Sequence, residues 1–530
     1  MAFSIKDFFH KEFVSKGLDI DNHQFIQAME IALFSDRSLF LTGKAGTGKT
    51  TFLHTLKHLG IDKRMAVVAP TGVAAINAKG KTLHSFFRID PRQLFLPDDP
   101  RLSAKTHDKK VSIYNTFQYS REKINIFKKL DLLVIDEVSM VRVEMLDVID
   151  KILRVFRKKH HLPFGGVQLI LIGDPFQLPP VVRNEEWQHL EPFYQTRFFF
   201  GSRAFQELAP IHIELQKIYR QKDEDFKNLL NRVRENQHTY QDIQLLNQTT
   251  SKYDFKLLDE GYILLGTHNH TINGINEMKL KELKGKEWKY SPEITGNFPA
   301  SLKPFDPLEL VLKAGAQVIF MKNNPDSGFY NGMIGKVLEL KQDVIKVQND
   351  RGRIYEVKRE LWENIEYKYN EKEDHLDSET VGTLSQFPLK LAWAITVHKS
   401  QGLTFDKAIL DISRSFEAGQ VYVALSRCTN LEGLVLKGKI WENSVKVSPD
   451  SLNFSKQQSD SIYIEQELEY ARAFVACRYA FAAFKEGNYR AAQELFDEIQ
   501  SVVDITQTLK WQQFLQVKDW LENRTYVKNE

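Results

Sequence analysis

The chain has 530 residues, 42% of them hydrophobic and 27% charged, with a formal net charge of +3. That make-up suits a globular protein of roughly three or four domains, and the small charge neither requires nor excludes a nucleic-acid partner, because gripping a strand needs local positive charge. Two cysteines, Cys428 and Cys477, exclude a disulfide framework and suit a reducing compartment; no apolar run long enough for a membrane span appears, and "MAFSIKDFFHKEFV" does not read as a secretory signal.

Along the chain, the first chemical signal is "LFLTGKAGTGKTTFL", Leu39 to Leu53. It reads as a strand, a glycine-rich turn and a helix start, with Gly43, Gly48, Lys49 and Thr50 fitting G-x-x-x-x-G-K-[ST]. Backbone N–H groups and the helix N-terminus hold phosphates in such a loop. Lys49 adds a cation at the β/γ oxygens, and the Thr50 hydroxyl ligates Mg²⁺. Three more strand-like runs follow: "MAVVAPTG" (Met65 to Gly72), "DLLVIDEVS" (Asp131 to Ser139) and "VQLILIGDPFQLPP" (Val167 to Pro180). Near-continuous apolar strands alternating with helical spacing imply a parallel sheet covered on both faces, with function at the carboxyl ends of its strands. Asp136 and Glu137 lie at such an end. The first is expected to hold the metal ion, the second to orient and deprotonate water. Gln177 is placed to sense the γ-phosphate or that water. Residues 88–125 carry proline-containing turns and a basic cluster (Lys105, Lys109, Lys110), which suggest a loop or hairpin leaving the sheet.

In the second half, "GYILLGT" (Gly261 to Thr267), "AQVIFM" (Ala316 to Met321), "KAILDIS" (Lys407 to Ser413) and "EGLVLKG" (Glu432 to Gly438) are strand candidates. No second phosphate loop accompanies them, so this half is expected to complete a nucleotide site. "HNH" at His268 to His270 lacks a surrounding acidic or histidine constellation and does not support a nuclease. Residues 335–385 hold short strands broken by "NDRG", which read as hairpins, and the acidic run "YNEKEDHLDSET" (Tyr369 to Thr380) reads as a solvated loop. The polar stretch 448–461 reads as a linker. Beyond it, 462–530 has helical periodicity, and "YAFAAFKEGNYRAAQELFDEI" is similar to one tetratricopeptide-type helix pair turning at Gly487-Asn488. Such a pair serves either as a helical cap or as a site for a protein partner.

"GKAGTGKT", "APTGVAAINAKGKTLHSFF", "VIDEVSM", "PFGGVQLILIGDPFQLPPV", "IYRQKDEDFKNLLNRVREN", "AWAITVHKSQGLTFD" and "VYVALSRCTNLEGL" occur in this order. Together, over about residues 20 to 440, they resemble the superfamily 1 DNA helicases of the PIF (petite integration frequency) type, close to the RecD branch. The resemblance implies an α/β fold of two RecA-like domains with parallel sheets, at 1–210 and 211–447. It also implies a wedge-like insertion at 88–125, a small β-barrel insertion at 335–385, and a C-terminal helical segment. ATP and Mg²⁺ would lie between the domains and drive translocation on single-stranded DNA, 5′ to 3′, unwinding forked or tailed duplex. The location would be cytoplasmic and nucleoid-associated if the source is bacterial.

By the same resemblance, Lys49, Asp136, Glu137, Gln177, Arg220 and Arg427 form the catalytic set, the two arginines reaching the γ-phosphate from the second domain. Nucleotide contacts fall on Gln24 (with Gln27 a rival adenine reader), Gly43, Ala45, Gly46, Thr47, Gly48, Lys49, Thr50, Thr51 and Gly402, and metal contacts on Thr50 and Asp136. Strand contacts fall on Thr71, Thr82, His84, His398 and Ser400. Phe86, Phe87 and Trp393 are the aromatic candidates for stacking on bases. Two other readings compete: a P-loop ATPase acting as a protein-binding regulatory switch, and a motor directed to RNA. "TVHKSQG" and "VALSRCTN" favour a motor over a switch.

Overall fold

The computed structural model describes residues 14–15, 19, 21–59, 63–104, 111–221, 223–304, 307–324, 326–413, 415, 417–502, 516 and 519. The basic cluster at Lys105, Lys109 and Lys110 lies outside the described residues.

The first sheet contains β1 (Leu39–Gly43), β2 (Met65–Ala69), β3 (Lys81–Thr82), β4 (Leu132–Ile135), β5 (Gln168–Ile172) and β6 (Ile211–Leu215). Their order is β3-β2-β4-β5-β1-β6, with every pair parallel. β1, β4 and β5 are buried at every residue, as a sheet covered on both faces requires. Alternate residues divide between those faces. Leu39, Leu41, Val134 and Ile170 share a core with Phe25, Met29, Phe52 and Leu56 from helices His23–Phe34 and Lys49–His58. Phe40, Leu133, Ile135 and Leu171 share one with Phe127, Leu146 and Ile149 from helices Arg121–Lys129 and Val143–Arg157. β6 pairs with β1, so the first sheet runs past the boundary expected at 210.

Residues 88–125 form no hairpin among the described residues. They hold a short 3-10 turn, Pro100–Leu102, and a helix, Ile113–Phe117. Phe95, Leu102, Ile113 and Phe117 sink into the first core, which holds this stretch against the domain.

Ile263–Gly266, Ala394–Thr396, Ala408–Asp411 and Leu434–Leu436 make the second parallel sheet, with Ile263–Gly266 paired to both 394–396 and 408–411. Ala394–Thr396 is too short to show strand periodicity. The candidate at Gln317–Phe320 lies elsewhere, in a five-stranded antiparallel sheet with Ile334–Leu340, Ile345–Asn349, Ile354–Val357 and Leu389–Leu391. The antiparallel region therefore begins before residue 335.

Glu360–Asn370 and His375–Gln386 pair along their length as a hairpin, so the acidic run Tyr369 to Thr380 is strand and turn rather than a solvated loop. Its end is seated on the first domain. Asp374 accepts from Arg64 at 2.8 Å and lies 3.5 Å from Lys129. The Val67 N–H donates to the Tyr367 hydroxyl at 3.0 Å, and Tyr367 and Leu376 enter the first core.

The expected linker at 448–461 carries a helix, Pro449–Ser455, with proline in its first turn where no N–H is needed. Its Phe454 stacks on Phe200 with ring centroids 4.1 Å apart. Helices Ser461–Lys485 and Tyr489–Val502 then pack through Ala473, Ala476, Ala480, Ala492 and Ile499. The longer one docks on helix His23–Phe34: Ile464 and Leu468 join its core, and Arg472 lies 2.8 Å from the buried Glu30. Among the described residues no helix is long and apolar enough to cross a membrane.

Candidate active site

The carboxyl ends of the first sheet face the loops of the second across a cavity of about 640 Å³. Its walls are Ala45 to Thr51, Glu137 and Gln177 from the first half, and Gly402, Thr404 and Arg427 from the second. Tyr219 and Arg220 come from the segment between them, and Asp19 and Phe25 complete the lining. Gln24 and Gln27 flank Phe25 on its helix, but Phe25 is the side chain that reaches the cavity.

Glycine sets the shape of the loop. Gly46 has φ +83°, and a Cβ there would fall 2.4 Å from the Arg220 Cβ. Gly48 begins helix Lys49–His58, whose first N–H groups have no partner within the helix. The Lys49 ammonium donates to the carbonyls of Gly43 at 2.5 Å and Lys44 at 3.0 Å. The Ala45 N–H donates to the Tyr422 hydroxyl at 3.1 Å, which ties the loop to the second domain.

Three cations meet at this cavity. Burial pushes Lys49 and Arg427 below their usual values, and burial together with the Arg427 charge brings Arg220 down to about 9. Backbone carbonyls hold both guanidinium groups. Arg427, 2% exposed, donates to Val423 at 3.0 Å, Leu403 at 3.3 Å and the Ser426 hydroxyl at 3.1 Å; Arg220 donates to the Ser426 carbonyl at 3.3 Å. Desolvated cations converging in one cleft are stabilised by a polyanion.

Opposite them stand two carboxylates. Glu137 lines the cavity in a left-handed conformation, φ +52°, which a non-glycine residue adopts at a cost. Its N–H donates to Asp136 at 3.0 Å. Burial and the Glu137 charge raise Asp136 to about 7; burial also raises Glu137, against the pull of Lys49 and Arg427. The Gln401 amide, from the second domain, donates to Glu137 at 2.8 Å and lies 3.5 Å from the Gln177 Oε1. Gln177 donates to Asp174 at 3.3 Å, and Asp174 is paired with Arg234 at 3.1 Å.

The structure thus gathers Lys49, Glu137, Gln177, Arg220 and Arg427 on one cavity, with Thr50, Thr51 and Gly402 beside them. Sequence reasoning misses Gln401, Arg234, Tyr219 and Tyr422, and reaches Asp174 only as one of the polar residues that end the Val167 to Pro180 run. Arg234 alone carries a signal: it is a cation on the buried face of the amphipathic helix Glu224–Arg234.

The strand-contact candidates fare unevenly. Thr71 and Thr82 cap the helices Gly72–Asn77 and Leu83–Phe87, each accepting an N–H at 3.2 Å, and Thr82 is buried. His84 is half-buried, and His398 is partly exposed 3.7 Å from Glu417. Ser400 is fully buried and donates to the Val397 carbonyl at 2.8 Å, so its hydroxyl has an internal partner. Phe86, Phe87 and Trp393 are core residues. Phe87 stacks on Phe127 with centroids 5.6 Å apart, and Trp393 is 3% exposed beneath the second sheet. All three are 3% exposed or less here, so none presents an open ring face for a base to stack on.

Residues 19–244 match the model of the PIF1-like helicases. Bacteroides sp Pif1 in complex with ADP-AlF4 is 40% identical, with a TM-score of 0.74 over 83% of this chain and 97% of that one. This chain belongs to the PIF1-like helicase family. Bacteroides Pif1 in complex with ADP-AlF3 and ssDNA is also 40% identical over the same shares of the two chains, at a TM-score of 0.57. The ATP-dependent DNA helicase PIF1 of Danio rerio is 34% identical over 418 residues, and the chain spans 59% of its length. Within this PIF1-like helicase, the two parallel sheets are the two RecA-like domains of the family.

Proposed function

We propose that this PIF1-like chain is an ATP-dependent DNA helicase that moves along single-stranded DNA, 5′ to 3′, and opens forked or tailed duplex. One observation carries the reading: a single cavity is lined by the phosphate loop of one domain and by Arg427 of the other. In this reading Lys49 binds the β/γ phosphates, and Glu137 holds the attacking water and takes its proton. Gln177 reports on the γ-phosphate. Arg220 and Arg427 neutralise charge on the transferred phosphoryl group.

Thr50 and Asp136 fit a divalent ion, since a buried acidic pair with raised pKa values favours a cation beside it. No cluster of three or more His, Cys, Asp or Glu forms a metal centre among the described residues, so such an ion would rest on those two and the nucleotide. Mg²⁺ supplies charge neutralisation at the phosphates when bound. Hydrolysis then requires the domains to be together, and a strand bound across both is advanced as they part and close. Thr71 and His84 on the first domain and His398 on the second are the strand contacts we favour. The C-terminal helices cap the first domain and leave Tyr470 and Tyr479 exposed for a protein partner. A cytoplasmic, nucleoid-associated location suits a bacterial source.

ATP turnover measured with and without single-stranded DNA or RNA tests the reading. A motor on DNA is stimulated severalfold by DNA, with affinity that falls steeply as salt rises. Duplexes with 5′ or 3′ tails give the direction. Turnover indifferent to polynucleotide would leave the regulatory switch.

A further inference from the structure

A chain of four polar contacts crosses the domain interface three times beside the cavity. Arg234 (second domain) pairs with Asp174 (first) at 3.1 Å, and Asp174 accepts from the Gln177 amide at 3.3 Å. The Gln177 Oε1 lies 3.5 Å from the Gln401 Nε2 (second), and Gln401 donates to Glu137 (first) at 2.8 Å. Arg234 and Asp174 are buried, at 3% and 0% exposure, and the Arg234 guanidinium lies 4.3 Å from the centre of the Phe176 ring. Glu214 sits 3.1 Å from the same guanidinium.

We propose that Arg234 and Gln401 are positioning residues for ATP hydrolysis, acting from the second domain through Asp174 and Gln177 on the carboxylate of Glu137. The inference rests on the helicase reading above and deepens it. An ionised carboxylate only accepts hydrogen bonds, whereas a side-chain amide has one accepting and one donating end. Paired with Arg234, the Asp174 carboxylate accepts from the NH₂ end of Gln177. That turns the Gln177 oxygen toward Gln401, so the two protons of the Gln401 amide face Gln177 and Glu137 at once. Glu137 is thereby held in one orientation at the cavity wall. Without Arg234, the Asp174 carboxylate loses the second-domain cation that fixes its orientation. The Gln177 amide is then no longer turned one way. Because Arg234 and Gln401 belong to the second domain, parting the domains releases Glu137 as well as withdrawing the arginines.

The test uses Asp174→Asn, Gln401→Ala, the pair together, and Arg234→Lys beside Arg234→Met, all in the full chain. Basal ATP turnover is measured over a range of ATP concentrations, with melting temperature as the control for folding. We expect kcat to fall on the order of 10²-fold in Gln401→Ala and Asp174→Asn, with KM for ATP changed less than threefold. The double variant is no slower than the worse single one, as for residues acting in series. Arg234→Lys retains more kcat than Arg234→Met. A folded Gln401→Ala with kcat within threefold of native, or with its loss in KM instead, overturns the proposal, whatever the other variants do. So do additive losses in the double variant. A native chain that turns over ATP but opens no tailed duplex overturns the helicase reading alone; one that turns over no ATP overturns both.

Discussion

Replacing Arg427 by alanine removes the guanidinium that the second domain brings to the cavity. An arginine that stabilises a transferred phosphoryl group contributes roughly 10³–10⁵ in rate, or about 4–7 kcal/mol. Two features of the site place this residue within that range. The side chain is 2% exposed and tied to the Val423 and Leu403 carbonyls, so it arrives already ordered and acts in a desolvated cleft. Its neighbour Arg220, lowered to about 9 by burial and by the Arg427 charge, stays cationic at neutral pH and partly compensates when Arg427 is gone. That partial compensation puts the expected loss at the lower end, about 10³-fold in DNA-stimulated kcat. The carbonyls left without a donor cost about 1–3 kcal/mol of stability, so a modest drop in melting temperature accompanies the loss. Steady-state turnover with saturating single-stranded DNA, together with binding of a fluorescent ATP analogue, measures both. Nucleotide affinity stays within about threefold, because Lys49 and the loop are untouched. Turnover within tenfold of native, in a variant that melts normally, would refute the assignment of this arginine to the site.

Lys49→Ala abolishes hydrolysis and weakens nucleotide binding about 10- to 100-fold, the worth of a charge-assisted contact to phosphate, read by equilibrium binding. His212, packed against Phe40 and Phe454, has its pKa lowered by burial from 6.5 to about 4. Between those values the unfolded chain holds more protons, so stability is complete above pH 6.5 and falls by about 3 kcal/mol as the pH drops to 4. Urea unfolding from pH 4 to 7 should show that slope, and His212→Gln should flatten it. Arg472→Ala removes the cation that lies 2.8 Å from the buried Glu30 carboxylate and costs about 3 kcal/mol. Helix 461–485 then becomes sensitive to protease, and pairing the change with Glu30→Gln recovers much of the loss.

The residues most legible in the sequence are those that end an apolar strand. Asp136, Glu137 and Gln177 each follow a run that only a buried parallel strand explains, and the glycines before Lys49 announce their own turn. Arg427 was readable only from the order of the motifs around it, since one arginine in "LSRCTN" carries no local signal. Asp174 and Arg234 lie in quoted segments yet pair across 60 positions of chain, a separation that no window of sequence reports. Phe87 and Trp393 mislead for the opposite reason: an aromatic ring beside a motif looks the same whether it meets a base or the core. Composition also hid the hairpin, because the acidic residues near its turn suggest solvent, while Arg64 and Lys129 on the other domain are what Asp374 meets.

That hairpin limits how the engine can run. It is rooted beside Glu293–Gly296 in the second domain, and its far end is held on the first by Tyr367 and Asp374. Swinging the lobes apart must either flex this ribbon or peel its tip away. A ribbon that bends acts as a leash: it caps the stroke, stores part of the opening motion as elastic distortion, and returns it as recoil toward the shut position. Cutting the leash at its tip would give a looser engine with longer, less regular excursions.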